Sequence, residues 1–173
     1  MSCGPSQVPE RVAQVVDERK RIDKRAEELE GELAKLIAGN ILQEMEKNWL
    51  DNVNGEEKSA GLYTRHYHRS DDPVNALSML QSISSVIAHA LANSSRRYIV
   101  VLTSSPNSQS NTSTSTVLLL SSEEPLVKTI GDGLKSKLNV RGGGKGLRWS
   151  GKWTGVWKDS RESILVEEIL GLL

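Results

Sequence analysis

The chain has 173 residues, 22 basic and 22 acidic side chains, 37% hydrophobic residues and a mean hydropathy of −0.39. That length accommodates one domain of roughly 110–125 residues with a solvated helical extension, and no run approaches the roughly 18 apolar residues of a membrane span. Cys3 is the single cysteine, which excludes an internal disulfide and suits a reducing, cytoplasmic setting; the opening Ser2-Cys-Gly-Pro-Ser6 has neither the basic nor the apolar region of a signal peptide, so none is expected.

Pro9 stands where a first helical residue would, and from there to about Asn48 the sequence has no further proline and many strong helix formers. Val12, Val15, Ile22, Ala26, Leu29, Leu33 and Leu36 recur at alternating three- and four-residue spacing, with Arg19 the exception in the register. The segment 9–48 therefore predicts a coiled-coil seam or the stripe of a helix lying on a partner. The mixed charges of Arg19-Lys20-Arg21 and Glu27-Glu28 read as a solvated face. Gly39-Asn40 is expected to interrupt or shift the register, after which Ile41, Leu42, Met45 and Trp49 carry an apolar face toward the globular part.

A polar turn over 52–61 leads to a strand at 62–69, where Leu62, Thr64, His66 and His68 alternate with Tyr63, Arg65, Tyr67 and Arg69. Ser70-Asp71-Asp72-Pro73 reads as a helix start, with Leu77, Leu80, Ile83, Val86, Ile87, Ala90 and Leu91 facing inward. The apolar runs 97–103 and 116–121 predict buried strands, and the Ser/Thr/Asn tract 104–115 between them a mobile hairpin loop. Glu123-Glu-Pro125 opens another helix with Leu126, Val127, Ile130 and Leu134 buried. After the glycine-rich run and a short strand, Asp159 or Ser160 caps a last helix with Ile164, Leu165, Ile169 and Leu170 inward. The order predicts an α/β fold: a helical arm over 1–50, then over 51–173 a small mixed sheet packed with helices, containing one β-α-β crossover and one antiparallel pair.

The segment 140–155, Val-Arg-Gly-Gly-Gly-Lys-Gly-Leu-Arg-Trp-Ser-Gly-Lys-Trp-Thr-Gly, interleaves glycines, bases and indoles. Between Lys135 and Arg161 there are eight basic residues and one acid, Asp159, in a chain of zero net charge. Segregated positive charge points to phosphate or nucleic acid as partner. Gly142, Gly143, Gly144 and Gly146 could form a basic loop whose backbone N–H groups cradle an anion, ringed by Arg141, Lys145, Arg148 and Lys152. The alternative is a tight turn between two strands. Trp149, Trp153 and Trp157 recur every four residues; Trp149 is a candidate stacking platform or a core residue, whereas Trp157, Trp49, Tyr63 and Tyr67 are assigned to the core.

The opening Ser2–Val12, the helical arm after it, and the ending Gly142-Gly-Gly-Lys-Gly-Leu-Arg-Trp-Ser-Gly-Lys-Trp153 together resemble the C-terminal part of AlaX-type alanyl-tRNA editing proteins, free-standing relatives of the alanyl-tRNA synthetase editing domain. The resemblance spans nearly the whole chain, and its specific part is the Gly-Gly-Gly-Lys-Gly-x-Arg-aromatic-x-Gly-Lys pattern. It implies a DHH-associated-like domain that binds tRNA, alanine tRNA in particular, through Arg141, Gly142, Gly143, Gly144, Lys145, Gly146, Arg148, Trp149 and Lys152. Lys145 stands where many DHH-associated phosphoesterases have His, and the Pro of many synthetase versions is missing, which favours the editing branch.

Editing proteins of that family hydrolyse mischarged tRNA at a zinc site built from His-x-x-x-His and Cys-x-x-x-His pairs, and neither motif occurs here. His66 and His68 fall short of the three or four ligands zinc needs, and Cys3 has no histidine in a motif relation to it. The expectation is an accessory module with no catalytic residue, metal or cofactor of its own, whose candidate protein partners are a separate editing domain in trans or a second copy through the 9–48 helix. A phosphate-binding NTPase loop is disfavoured by the missing Gly-x-x-x-x-Gly-Lys-Ser/Thr and by the lack of an acid placed to hold magnesium. The reading from another class is a protein-interaction module in which the 9–48 helix pairs two copies and the glycines are structural.

Overall fold

The computed structural model describes residues 8–54, 61–70 and 75–172. The first element, α1, is a single helix over Val8–Asn54, 47 residues long. It passes through Gly39-Asn40 without a break, contrary to the expected interruption. One helical glycine costs only about 1 kcal/mol relative to alanine, and Ala34, Ile37, Ala38, Ile41, Met45 and Trp49 are all buried around it. That packing outweighs the penalty. The buried stripe begins one residue after the seam position Leu33, about 100° further round the helix. The seam itself therefore stays outside: Val12, Val15, Ile22, Leu29, Leu33 and Leu36 are 41–67% exposed. The arm that stands free of the domain is the first half of α1, residues 10–25 all being exposed, while its second half belongs to the core rather than to a separate unit ending near 50.

The sheet has five strands in the order β1-β2-β3-β5-β4: β1 Tyr63–Ser70, β2 Tyr98–Ser105, β3 Thr114–Ser121, β4 Arg141–Lys145 and β5 Arg148–Thr154. The first two run parallel, joined through helix α2 (Ala76–Ala90), and every other pair is antiparallel. The helix start expected at 70–73 lies, from 71 onward, outside the described residues; α2 is capped by Asn75, whose side chain accepts the Ser78 N–H at 3.1 Å. Helix α3 spans Glu124–Leu138 and ends at Asn139 in the left-handed region, φ 54°. A π-helical turn at Asp159–Ser163 precedes α4, Ile164–Leu170. The wider turn changes which residues face inward: Glu162, Val166, Ile169 and Leu170 are buried, and Ile164, expected inside, is 48% exposed.

Two cores flank the sheet. One joins α1 and α2 to Tyr63, Tyr98, Val100, Leu102, Leu118 and Leu120. The other joins α3 and α4 to Ile99, Val101, Val117, Leu119, Trp149 and Trp157. Strands β2 and β3 are thus covered on both faces, which explains their continuous apolar runs. They are also longer than expected. Ser104, Ser105 and Ser115, read as loop, are buried in the sheet, because the ladder satisfies their backbone groups and small hydroxyls fit between the layers. The connection shrinks to 106–113, where Ser110, Thr112 and Ser113 bond one another.

Candidate nucleic-acid interface

The glycine run is a β-hairpin, not an anion-binding loop. Strands β4 and β5 pair from Arg141↔Lys152 to Lys145↔Arg148, with only Gly146 and Leu147 between them. Gly146 has φ 65°, the positive value that two-residue hairpin turns demand. Gly142, Gly143 and Gly144 do not share it, so no nest of N–H groups forms. Their absent side chains serve a close approach to β5 instead. A Cβ on Gly142 would lie 2.3 Å from the Ser150 carbonyl oxygen, and one on Gly144 2.1 Å from that of Arg148. At Gly143 a Cβ would meet nothing.

The register decides where the bases go. Residues directly opposite in an antiparallel ladder share a face, so Arg141, Lys145, Arg148 and Lys152 all lie on one side, with Gly143 and Ser150 between them. Along β4 the two cationic ends are about 13 Å apart. The other side carries Trp149, which is 4% exposed and packs against Gly131 of α3, where a Cβ would come within 3.2 Å of the indole. That contact closes Trp149 to a stacking base and settles its alternatives in favour of the core, although its buried Nε1 has no hydrogen-bond partner among the described residues. Trp157, at 4% exposed, lies in the same core as expected, and Trp153 is half-buried beside it.

On the cationic side, β3 turns Leu118 and Leu120 toward α2, and β5, paired next to β3, turns Ser150 and Arg148 out from the same side. The helices cover the inner strands and leave the hairpin open. Arg141, Lys145, Arg148 and Lys152 are all exposed, and none forms an ion pair among the described residues. Arg148 is also close enough to Tyr98 to oppose, in part, the upward push that burial gives its phenol. Four cations with no ion-pair partner among the described residues, on one open face, can bind a run of phosphates.

At the edge of the hairpin, toward the side of Trp149 and α3, opens a cleft of about 550 Å³, lined by Lys137 and Asn139 at the end of α3, by Arg141, Lys152 and Trp153 of the hairpin, and by Arg161 and Glu162 of the π turn. Lys137 and Arg161 belong to the basic segment of the sequence, but nothing in their spacing marks them as part of a site. Their signal was charge alone; the chain reversals that bring 137, 152 and 161 together leave no mark in the spacing.

The two strand histidines occupy the opposite end of the sheet and have a structural task. His66 Nε2 and His68 Nδ1 lie 2.9 and 2.8 Å from the Thr103 hydroxyl, and His68 Nε2 lies 3.2 Å from the Ser105 hydroxyl. The bonds close consistently with both rings neutral: each donates to Thr103, whose proton reaches the Tyr67 carbonyl, and Ser105 donates to His68. His68 stacks on Trp157 with centroids 4.9 Å apart. Burial lowers the pKa of His66 to about 4 and lowers that of His68, despite the carboxylate of Asp159. Among the described residues no group of three or more His, Cys, Asp or Glu side chains could hold a metal ion. Cys3 lies outside those residues. No described helix is long and apolar enough to cross a membrane. Comparison of the sequence with protein-family models and with curated proteins finds no match.

Proposed function

We propose that the open face of the β4–β5 hairpin binds the phosphate backbone of tRNA, and that the chain serves as a non-catalytic accessory module for alanyl-tRNA editing. The observation that carries the binding is the register placing Arg141, Lys145, Arg148 and Lys152, exposed and without an ion-pair partner among the described residues, on one face with only Gly143 and Ser150 between them. The link to alanine tRNA rests on the resemblance of the 142–153 pattern to AlaX-type proteins. In this reading deacylation belongs to an editing domain acting in trans, in the cytoplasm, and this chain contributes placement of the substrate without metal or cofactor.

The test is binding of alanine tRNA and of an unrelated tRNA by the wild type and by Lys145→Ala/Arg148→Ala. The double variant is expected to lose about tenfold or more in affinity with an unchanged melting temperature. A stronger hold on alanine tRNA supports the editing link, and unchanged tRNA affinity in the variant removes the site.

A second reading has its own observation: the α1 seam of Val12, Val15, Ile22, Leu29, Leu33 and Leu36 is exposed along a protruding helix. Such a stripe fits the same stripe of a second copy as a coiled coil. Sedimentation at tens of micromolar distinguishes a dimer from a monomer, and Ile22→Asp/Leu29→Asp is expected to return any dimer to monomer. A wild type that stays monomeric rejects this reading. The two readings are compatible.

A further inference from the structure

We infer that the cleft beside the hairpin takes one unpaired nucleotide of a single-stranded RNA segment, with its base against the Trp153 indole and its phosphate among Lys137, Arg141, Lys152 and Arg161. The inference rests on the RNA-binding reading of the adjoining face and adds to it a second kind of contact. A surface that only tracks phosphates needs no aromatic wall, and this cleft has one.

Trp153 is placed for that role as Trp149 and Trp157 are not. Those two are closed in the core, while Trp153 is half-buried and lines the cleft. Its ring is held edge-on by Trp157, centroids 5.5 Å apart and planes at 87°. Gly155 passes beneath it at φ 143°, where a Cβ would stand 2.8 Å from the ring. An indole fixed before the ligand arrives loses little freedom on stacking. The charge has the right sign: four cations and one carboxylate, Glu162, line the cleft, and that carboxylate is itself 4% exposed. That carboxylate already accepts the Lys158 backbone N–H at 2.9 Å and lies 3.6 Å from Arg161 Nε. Lys137, Arg141 and Lys152 have no ion-pair partner among the described residues. Asn139, held at the end of α3 with φ 54°, adds an exposed amide able both to donate to and to accept from a base edge.

An unpaired nucleotide is the ligand that uses both halves of this site. In a duplex the π-faces are stacked away and a side chain meets only phosphates and groove edges; in a loop or single strand the base is free to lie on an aromatic ring. Arg141 and Lys152 line the cleft and also belong to the cationic face, so the two sites meet at the edge of the hairpin.

The experiment titrates a short single-stranded RNA and a blunt RNA duplex of equal length into the wild type, Lys137→Ala/Arg161→Ala and Lys145→Ala/Arg148→Ala, followed by anisotropy. Lys137→Ala/Arg161→Ala is expected to bind the single strand about tenfold more weakly and the duplex within about twofold of wild type. Lys145→Ala/Arg148→Ala is expected to lose affinity for both. Single-strand binding should quench tryptophan emission in the wild type and much less in Trp153→Phe. Equal losses on the two RNAs, or none, in Lys137→Ala/Arg161→Ala overturn the cleft while leaving the hairpin face standing. A wild type that binds neither RNA overturns both. Adenosine monophosphate distinguishes the sources of the nucleotide: competition only at far higher concentration than the oligonucleotide supports a chain-borne one, and equal potency overturns that in favour of a free one. Poly-glutamate competing as well as RNA overturns the stacking argument.

Discussion

The inner strands and the glycine hairpin share one sheet and one hydrogen-bond ladder, yet they are built for opposite ends. In β2 and β3 every central position from Ile99 to Leu102 and from Val117 to Leu120 is closed by helices on both sides. In β4 and β5 one side is closed by Trp149 against α3, and the other presents four cations around Gly143 and Ser150. An exposed sheet face is made here by where the helices stop. The hairpin takes its rigidity from the core behind it and leaves its charge to a partner.

Core truncation separates the two regions most strongly. Leu119→Ala is expected to cost about 2–5 kcal/mol through lost burial and a cavity, whereas Leu147→Ala in the hairpin turn, at a residue 49% exposed, should stay within about 0.5 kcal/mol; urea unfolding of the two variants compares them. Comparable losses would mean that the turn is part of the core after all.

Acid probes the far end of the same sheet. His66 is held neutral with a pKa of about 4 against 6.5 for a free imidazole. Above pH 6.5 neither the folded nor the unfolded chain carries that proton, so the contribution is complete. Between 6.5 and 4 the unfolded chain takes it up and the folded one does not, so stability falls with pH, by at most about 3 kcal/mol. Carboxylates titrate in the same region, which makes the useful quantity the difference between the wild type and His66→Gln. The variant should show the flatter loss between pH 7 and 4.5, and parallel losses would contradict a neutral His66.

Within the hairpin the glycines are not equivalent. Gly144→Ala pushes a Cβ into the backbone of β5 and is expected to cost about 1–3 kcal/mol. Gly143→Ala, with open space around it, should be nearly neutral in stability. If both are tolerated equally in thermal melts, close approach is not why this run is glycine.

The parts of the fold written in local periodicity were legible in the sequence. The two-residue alternation of 62–69, the unbroken apolar run after Tyr98 and the stripe of α2 led to the β-α-β crossover and to the antiparallel pair after it. What stayed illegible depends on distant partners. Leu33 and Ala34 are equally apolar neighbours, and only the position of α2 makes the second buried and the first exposed. Three glycines read as a loop because glycine is far more common in loops than in a strand whose carbonyls must come close to its neighbour. Ser104, Ser105 and Ser115 look like loop residues until the ladder takes up their backbone groups. Of the candidate site, the four cations were named from charge and spacing, but their common face came from the register, and Lys137, Asn139 and Arg161 entered only through the packing of α3 and the π turn against the hairpin.

If the open hairpin face neutralises phosphates, the salt dependence of RNA binding must differ between the wild type and Lys145→Ala/Arg148→Ala. Each lost phosphate contact should lower the steepness of log affinity against log salt by about 0.9 on a duplex, so the double variant is expected to bind more weakly at low salt and with a slope shallower by about 1.8. Coincident salt curves for the two proteins would contradict the account.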